Sequence, residues 1–245
     1  TGSLTRQVTN MLIPTAVYIV MAVSLNLVVG LLGELSLGHA GFMSVGLFSG
    51  CLVAIALTNT ALPLMVRLPV SMLAGGLTAA VFGLLVGLPT LRLRGDYLAI
   101  VTLACGEIIK NIITNLNITG GALGLDTSSI YAGAKDLLPY GAMLVLLTVA
   151  VMLNLKRSKY GRAIMAIRDN RIAAESVGLS VTRYKLAVFV IAAFFAGCAG
   201  VLYGHSLANI KAAAFDYNMS IEILVIVVLG GMGSIPGSII AAIVL

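Results

Sequence analysis

Apolar residues run along this chain in long continuous blocks, near Met11–Leu32, Gly38–Leu57, Leu68–Leu88, Tyr97–Asn115, Leu137–Leu155 and Leu186–Leu207. A hydrocarbon core about 30 Å thick takes about 20 helical residues at about 1.5 Å each, so these blocks predict six crossings of a bilayer. Lipid cannot satisfy backbone N–H and C=O groups, which leaves helices or a closed barrel, and continuous blocks without period-two alternation select helices. A shorter run, Ile221–Leu229, stops at the cluster Gly230-Gly-Met-Gly-Ser-Ile-Pro-Gly237, and another is only begun between Ser238 and Leu245. These two are counted as doubtful spans. The predicted fold class is all-α, a polytopic transmembrane helix bundle, organised as one domain over 1–245 with no internal repeat or linker. The start at Thr1, without the charged and apolar regions of a signal peptide, and the unfinished run at the other end lead us to expect a longer chain truncated at both ends.

Composition agrees: of the 245 residues, 60% are apolar and 10% charged, with a mean hydropathy of +1.08. A soluble domain carries charge on about a quarter of its positions, so this chain is not a soluble enzyme with one anchor. The net charge of +6 would suggest nucleic acid on a soluble domain; here loop charge first reports orientation, and no nucleic-acid partner is expected. Ten of the 15 Lys and Arg residues fall on one side, namely Arg92 and Arg94 in a short link and Lys156, Arg157, Lys159, Arg162, Arg168, Arg171, Arg183 and Lys185 in or beside a long one. The basic side is therefore the cytoplasm, and the first span runs inward. Cys51, Cys105 and Cys198 sit singly within apolar runs, as small packing residues.

Polar residues inside these runs mark candidate sites. Glu107, Lys110 and Asn111 share a helix face by their i, i+3 and i+4 spacing, and an ionised group in the bilayer must be paired or face water. Two readings are open, a Glu107–Lys110 pair with Lys110 snorkelling and a face lining a translocation path. The segment Gly33-Glu-Leu-Ser-Leu-Gly-His-Ala-Gly41 interrupts an apolar run and brings Glu34, Ser36 and His39 beside the break. Broken helices handle substrate in many transporters, while glycines also allow close helix packing. His39 by itself is no metal site, His205 is assigned no role, and no metal ligand set is predicted. The 230–237 cluster lacks the Lys and Ser or Thr of a phosphate-binding GxxxxGK[ST] loop and is read as a break between half-helices. No nucleophile–base or HExxH arrangement points to catalysis, so the chain is expected to be no enzyme and to bind no cofactor.

The link 156–185 is too polar to cross the membrane. Ala163, Ile164, Ala166, Ile167, Ala173, Ala174 and Val177 alternate with Arg162, Arg168, Arg171 and Glu175 as in a short amphipathic helix, which Gly178 is placed to stop. Such a helix either lies on anionic lipid headgroups or docks in a groove of a soluble partner.

Several blocks in register carry a resemblance. Leu25-Asn-Leu-Val-Val-Gly30, the 33–43 segment, Gly87-Leu-Pro-Thr-Leu-Arg-Leu-Arg-Gly-Asp-Tyr-Leu-Ala-Ile100, Ala166-Ile-Arg-Asp-Asn-Arg-Ile-Ala-Ala-Glu-Ser-Val-Gly178 and Val228-Leu-Gly-Gly-Met-Gly-Ser234 resemble the LivM-type permease subunits of bacterial branched-chain amino-acid ABC importers. The resemblance implies an ABC importer permease fold in the bacterial inner membrane. It also implies a second permease subunit, two cytosolic ATPase subunits that bind the ATP, and an extracytoplasmic substrate-binding protein. The long link then becomes a coupling segment, with Arg162, Arg168, Ile172, Ala173, Ala174, Glu175 and Gly178 toward the ATPase. Ile172 stands where the general coupling motif has Glu, and Ala122 and Leu123 stand where relatives often have a polar residue or Pro. Asn26, Ser36, His39, Glu107 and Asn111 are the candidate path-facing residues for an amino-acid substrate. A urea or amide permease of the same superfamily and a self-sufficient ion-coupled carrier are the alternatives.

Overall fold

The computed structural model describes residues 6–58, 63–91, 93 and 95–245; Thr1, Arg92 and Arg94 lie outside them. Helix α1 (Arg6–Asn26) passes directly into a π-helical turn, Leu27–Leu32. There follow α2 (His39–Thr58), α3 (Leu64–Thr90), α4 (Asp96–Asn115) and α5 (Ala134–Arg157), then the short helices α6 (Lys159–Asp169) and α7 (Arg171–Ser176). The chain continues through α8 (Val181–His205), α9 (Tyr217–Gly230) and α10 (Ile235–Val244). A two-residue ribbon, β1 (Leu125–Asp126) antiparallel to β2 (Asn209–Ile210), ties the loop after α4 to the loop after α8.

Among the described residues seven segments are long and apolar enough to cross a membrane, so the molecule is a multi-pass, all-α bundle. Six match the predicted spans. The seventh, Ala212–Gly230, includes the run that looked too short: a 3-10 turn at Ala212–Ala214 and a bend at Phe215 and Asp216 precede α9, which then continues through Glu222 without a break. Asp216 in fact starts α9, its carboxylate accepting from the Met219 N–H at 3.2 Å.

Burial separates the helices into a centre and a shell. The first span is 83% buried and α2 and α8 are each 67% buried, against 28–39% for α3, α4 and α5. A helix apolar on all sides belongs inside, and one exposing Leu, Ile and Val on a broad face meets lipid or another chain. α2, α3 and α8 approach closely along Gly46, Gly75 and Gly197: a Cβ on Gly46 would collide with the backbone of Gly197, and one on Gly197 with the carbonyl of Gly75. Small residues there replace side-chain contact by backbone contact. Nearby, the Phe42 and Phe189 rings meet edge to face with centroids 5.4 Å apart.

The ends of the first span and α5, the start of α8 and the turn between α9 and α10 collect on the side that carries α6 and α7. Three ties show it: Arg168 reaches the Gly30 carbonyl, Lys185 pairs with Glu34, and Lys156 donates to the Gly233 carbonyl. The expected amphipathic helix of the long link is two helices rather than one. Asn170 is extended (φ −153°, ψ 102°) and turns its side chain to cap α7, accepting from the Ala173 N–H at 3.1 Å, so the helix cannot continue through it. Gly178, at φ +87°, ends the segment as predicted.

Candidate functional site

The apolar run breaks between the first span and α2. Gly33 adopts a left-handed conformation (φ 75°) and its N–H returns to the Val28 carbonyl, closing the π-turn; residues 34–38 are then non-helical. Irregular backbone at membrane depth must find partners inside the protein. Leu37 N–H donates to Thr102 Oγ1 at 3.1 Å, and Ala40 N–H donates to Ser220 Oγ at 3.3 Å. His39 restarts the helix and lies 2.8 Å through Nε2 from Ser24 Oγ. The same hydroxyl lies 3.0 Å from the Met21 carbonyl, so Ser24 ties the His39 ring to the backbone of α1. Ser36 is also buried, and its hydroxyl has no partner among the described residues.

A second polar cluster links α4 to α9. Glu107 pairs with Lys110 and also accepts from the Tyr217 N–H at 3.0 Å, in the first turn of α9, where the helix end favours a carboxylate. Asn111 stays apart and exposed. At about 100° per residue it falls on the side of Ile108 and Ile112, which are themselves exposed, whereas Lys110 falls on the other side of Glu107.

On the opposite face of α9, Glu222 is exposed within the span, and its Oε2 is 3.5 Å from the Tyr18 hydroxyl of α1. Two openings meet at these residues. One is a cavity of about 150 Å³ lined by Tyr18, Tyr203, Asp216, Asn218, Met219 and Glu222 among others. The other is a mostly apolar groove of about 910 Å³ between α1, α9 and α10. Sequence reasoning passed over Glu222, a single acid in an apolar run with no basic partner at helical spacing.

Toward the α6–α7 side, the break and the α9–α10 turn are bound together. Asn26 is buried, donates to the Ser234 carbonyl (3.0 Å) and Ser238 Oγ (2.7 Å), and accepts from the Gly233 N–H (2.7 Å). Its amide is therefore engaged by protein in this conformation. Lys156 donates to the Gly233 carbonyl at 2.8 Å from α5. From α6, Arg168 donates to the Gly30 carbonyl at 2.9 Å while its stem packs over Gly33. Lys185, at the base of α8, pairs with Glu34 with both side chains largely buried.

The sequence model of the family described as "Branched-chain amino acid transport system / permease component" matches residues 7–245. The chain belongs to this permease family. It is 38% identical to the high-affinity branched-chain amino acid transport system permease protein LivM of Salmonella typhimurium and 39% identical to that of Escherichia coli. Each match covers 94% of this chain and 60% of the relative, so the chain spans about three-fifths of those proteins. It is also 32% identical to a probable branched-chain amino acid transport permease protein LivM of Methanocaldococcus jannaschii, over 65% of this chain and 50% of the relative. No solved structure matches the chain.

Within this permease, the path-facing candidates divide. Ser36 and His39 belong to the break, Asn26 fastens its lower end, Glu107 belongs to the α4–α9 cluster, and Asn111 joins neither. The coupling candidates divide as well. Ile172 is 80% exposed and Val177 81%, and Ala173 is exposed beside them, whereas Ala174 is buried against Ile167 and Val181. Glu175 is held by Arg171 at 2.8 Å, and Arg162 reaches back to the Arg157 carbonyl at 3.4 Å. Arg168 looks inward to the break.

Proposed function

We propose that the chain is a transmembrane subunit of an ATP-driven importer of branched-chain amino acids in the bacterial cytoplasmic membrane. It would work with a second permease, two cytosolic ATPase subunits that bind and hydrolyse the ATP, and an extracytoplasmic binding protein that delivers the amino acid. The observation that carries this reading is the family match, which runs from the first helix through the α6–α7 segment to α10. The names of the LivM relatives supply the substrate class. The chain's own part is mechanical. Ile172 and Val177 are apolar, far exposed and set among charges, which suits a soluble partner's groove. Arg168 and Lys185 reach from the same side into the 27–38 break, so a displacement of α6–α7 is passed to the point where the helices are interrupted. Transport then needs two arrangements of the bundle whose balance is shifted by the partner's differential binding.

The test is uptake of radiolabelled leucine into proteoliposomes holding the assembled importer, with ATP inside the compartment that meets α6–α7. Uptake that needs ATP, the ATPase subunits and the binding protein is expected. Leucine uptake by the permease alone, driven by an ion gradient, would replace the reading with a carrier. ATP-driven uptake of urea without leucine would retain the machine and change its cargo.

A further inference from the structure

Glu222 presents a physical problem that the fold does not solve by itself. Its carboxylate lies in the second turn of α9, five residues or about 8 Å of helix from Tyr217 and eight residues or about 12 Å from the turn at Gly230. It is exposed, and it takes part in none of the ion pairs among the described residues. An ionised group at such a position faces water or protein rather than lipid. The Tyr18 hydroxyl, 3.5 Å away on α1, is too distant to satisfy it, so both groups keep hydrogen-bonding capacity. Asp216, by contrast, is spent on its own helix, accepting from Met219 N–H at 3.2 Å and from Asn218 Nδ2 at 2.8 Å. Glu107 is spent on Lys110 and Tyr217.

The surroundings divide by polarity at this residue. On one side is the cavity of about 150 Å³, the room of about five waters, edged by Tyr18, Tyr203, Asn218 and Glu222. On the other is the groove walled by Pro14, Ile221, Val225 and Ile226, of a size that encloses small molecules. A negative, hydrogen-bonding end joined to an apolar trough is complementary to a molecule with a cationic head and a branched hydrocarbon tail. We propose that Glu222, with Tyr18, forms a subsite that receives the α-ammonium group of the passing amino acid while its side chain lies against the groove of α1 and α9. No bond is made or broken: the carboxylate accepts from the ammonium, and the Tyr18 hydroxyl accepts a further N–H or donates to the substrate carboxylate. This subsite rests on the transport reading above and adds the place and the polarity by which the substrate is held.

The experiment uses the complete importer in proteoliposomes. In Glu222→Gln the leucine moved per ATP hydrolysed should fall at least tenfold, in Tyr18→Phe several-fold, and Glu222→Asp should recover part of the loss. A merely structural role would lower leucine uptake and ATP hydrolysis together, leave their ratio unchanged, and overturn the proposal. A second arm reads the site directly in a Glu222→Cys variant that also carries Cys105→Ala, Cys51 and Cys198 being buried. A water-soluble ammonium-bearing methanethiosulfonate should label the introduced thiol, and saturating leucine with the binding protein should slow labelling at least fivefold. An unreactive thiol, or labelling indifferent to leucine, refutes the subsite. Absence of leucine uptake in the wild-type importer strikes the transport reading itself, whereas normal wild-type uptake with an unaltered Glu222→Gln ratio strikes only the subsite.

Discussion

Replacing Asn26 by Ala tests whether this buried amide fastens the α9–α10 turn or serves the substrate. Three hydrogen bonds are removed, to Ser234, Ser238 and Gly233. The Ser234 carbonyl keeps its bonds from Ser238 N–H (3.1 Å) and Ser238 Oγ (3.2 Å), so the Gly233 N–H is the group left without a partner. Interhelical hydrogen bonds in membranes average about 0.6 kcal/mol each, and an orphaned buried group costs about 1–3 kcal/mol more. The sum is about 3–5 kcal/mol. At about 2–4 °C per kcal/mol for a chain of this size, the melting temperature should fall by at least about 6 °C. The chain has no Trp, but Cys51 and Cys198 are 0% and 3% exposed, so a thiol-reactive dye in detergent reports unfolding. Asn26→Asp keeps the acceptor for Gly233 and turns the donor into a second acceptor against the Ser234 carbonyl, so it should also destabilise despite its equal size. Asn26→Ala that melts within about 1 °C of wild type yet loses transport would refute the reasoning and return Asn26 to the path.

Lys185→Met leaves Glu34 charged and largely buried, which should cost about 3–5 kcal/mol, and Glu34→Gln added to it should restore most of the loss in a melting assay. Gly197→Leu drives a side chain into the carbonyl of Gly75, backbone that cannot step aside, so the yield of folded protein on size-exclusion chromatography should collapse; Gly141→Ala, at a position where the nearest side chains are 3.5 Å from the added methyl, should be tolerated. Ile172→Asp with Val177→Asp should weaken co-purification of the ATPase subunits at least tenfold without moving the melting temperature, since both side chains are exposed; Ala174→Asp should lower that temperature instead, because Ala174 packs on Ile167 and Val181.

Sequence alone determined six of the seven crossings, the basic face and the existence of a break within residues 33–41, because a bilayer imposes its thickness on apolar runs and its charge asymmetry on loops whatever the packing. It also exposed the Glu107–Lys110 pair, whose partners are three residues apart on one helix. Only the tertiary structure decided which of these polar groups are spent and which are free. Asn26 meets Gly233 across 207 positions and Tyr18 meets Glu222 across 204, and no periodicity encodes such neighbours. The same holds for Asn170, whose cap divides the 156–185 link, and for Asn111, which a rotation of a few tens of degrees puts on the outer side of α4. Local pattern reports what a residue demands of its surroundings, whereas the partner that meets the demand is supplied by how the helices pack.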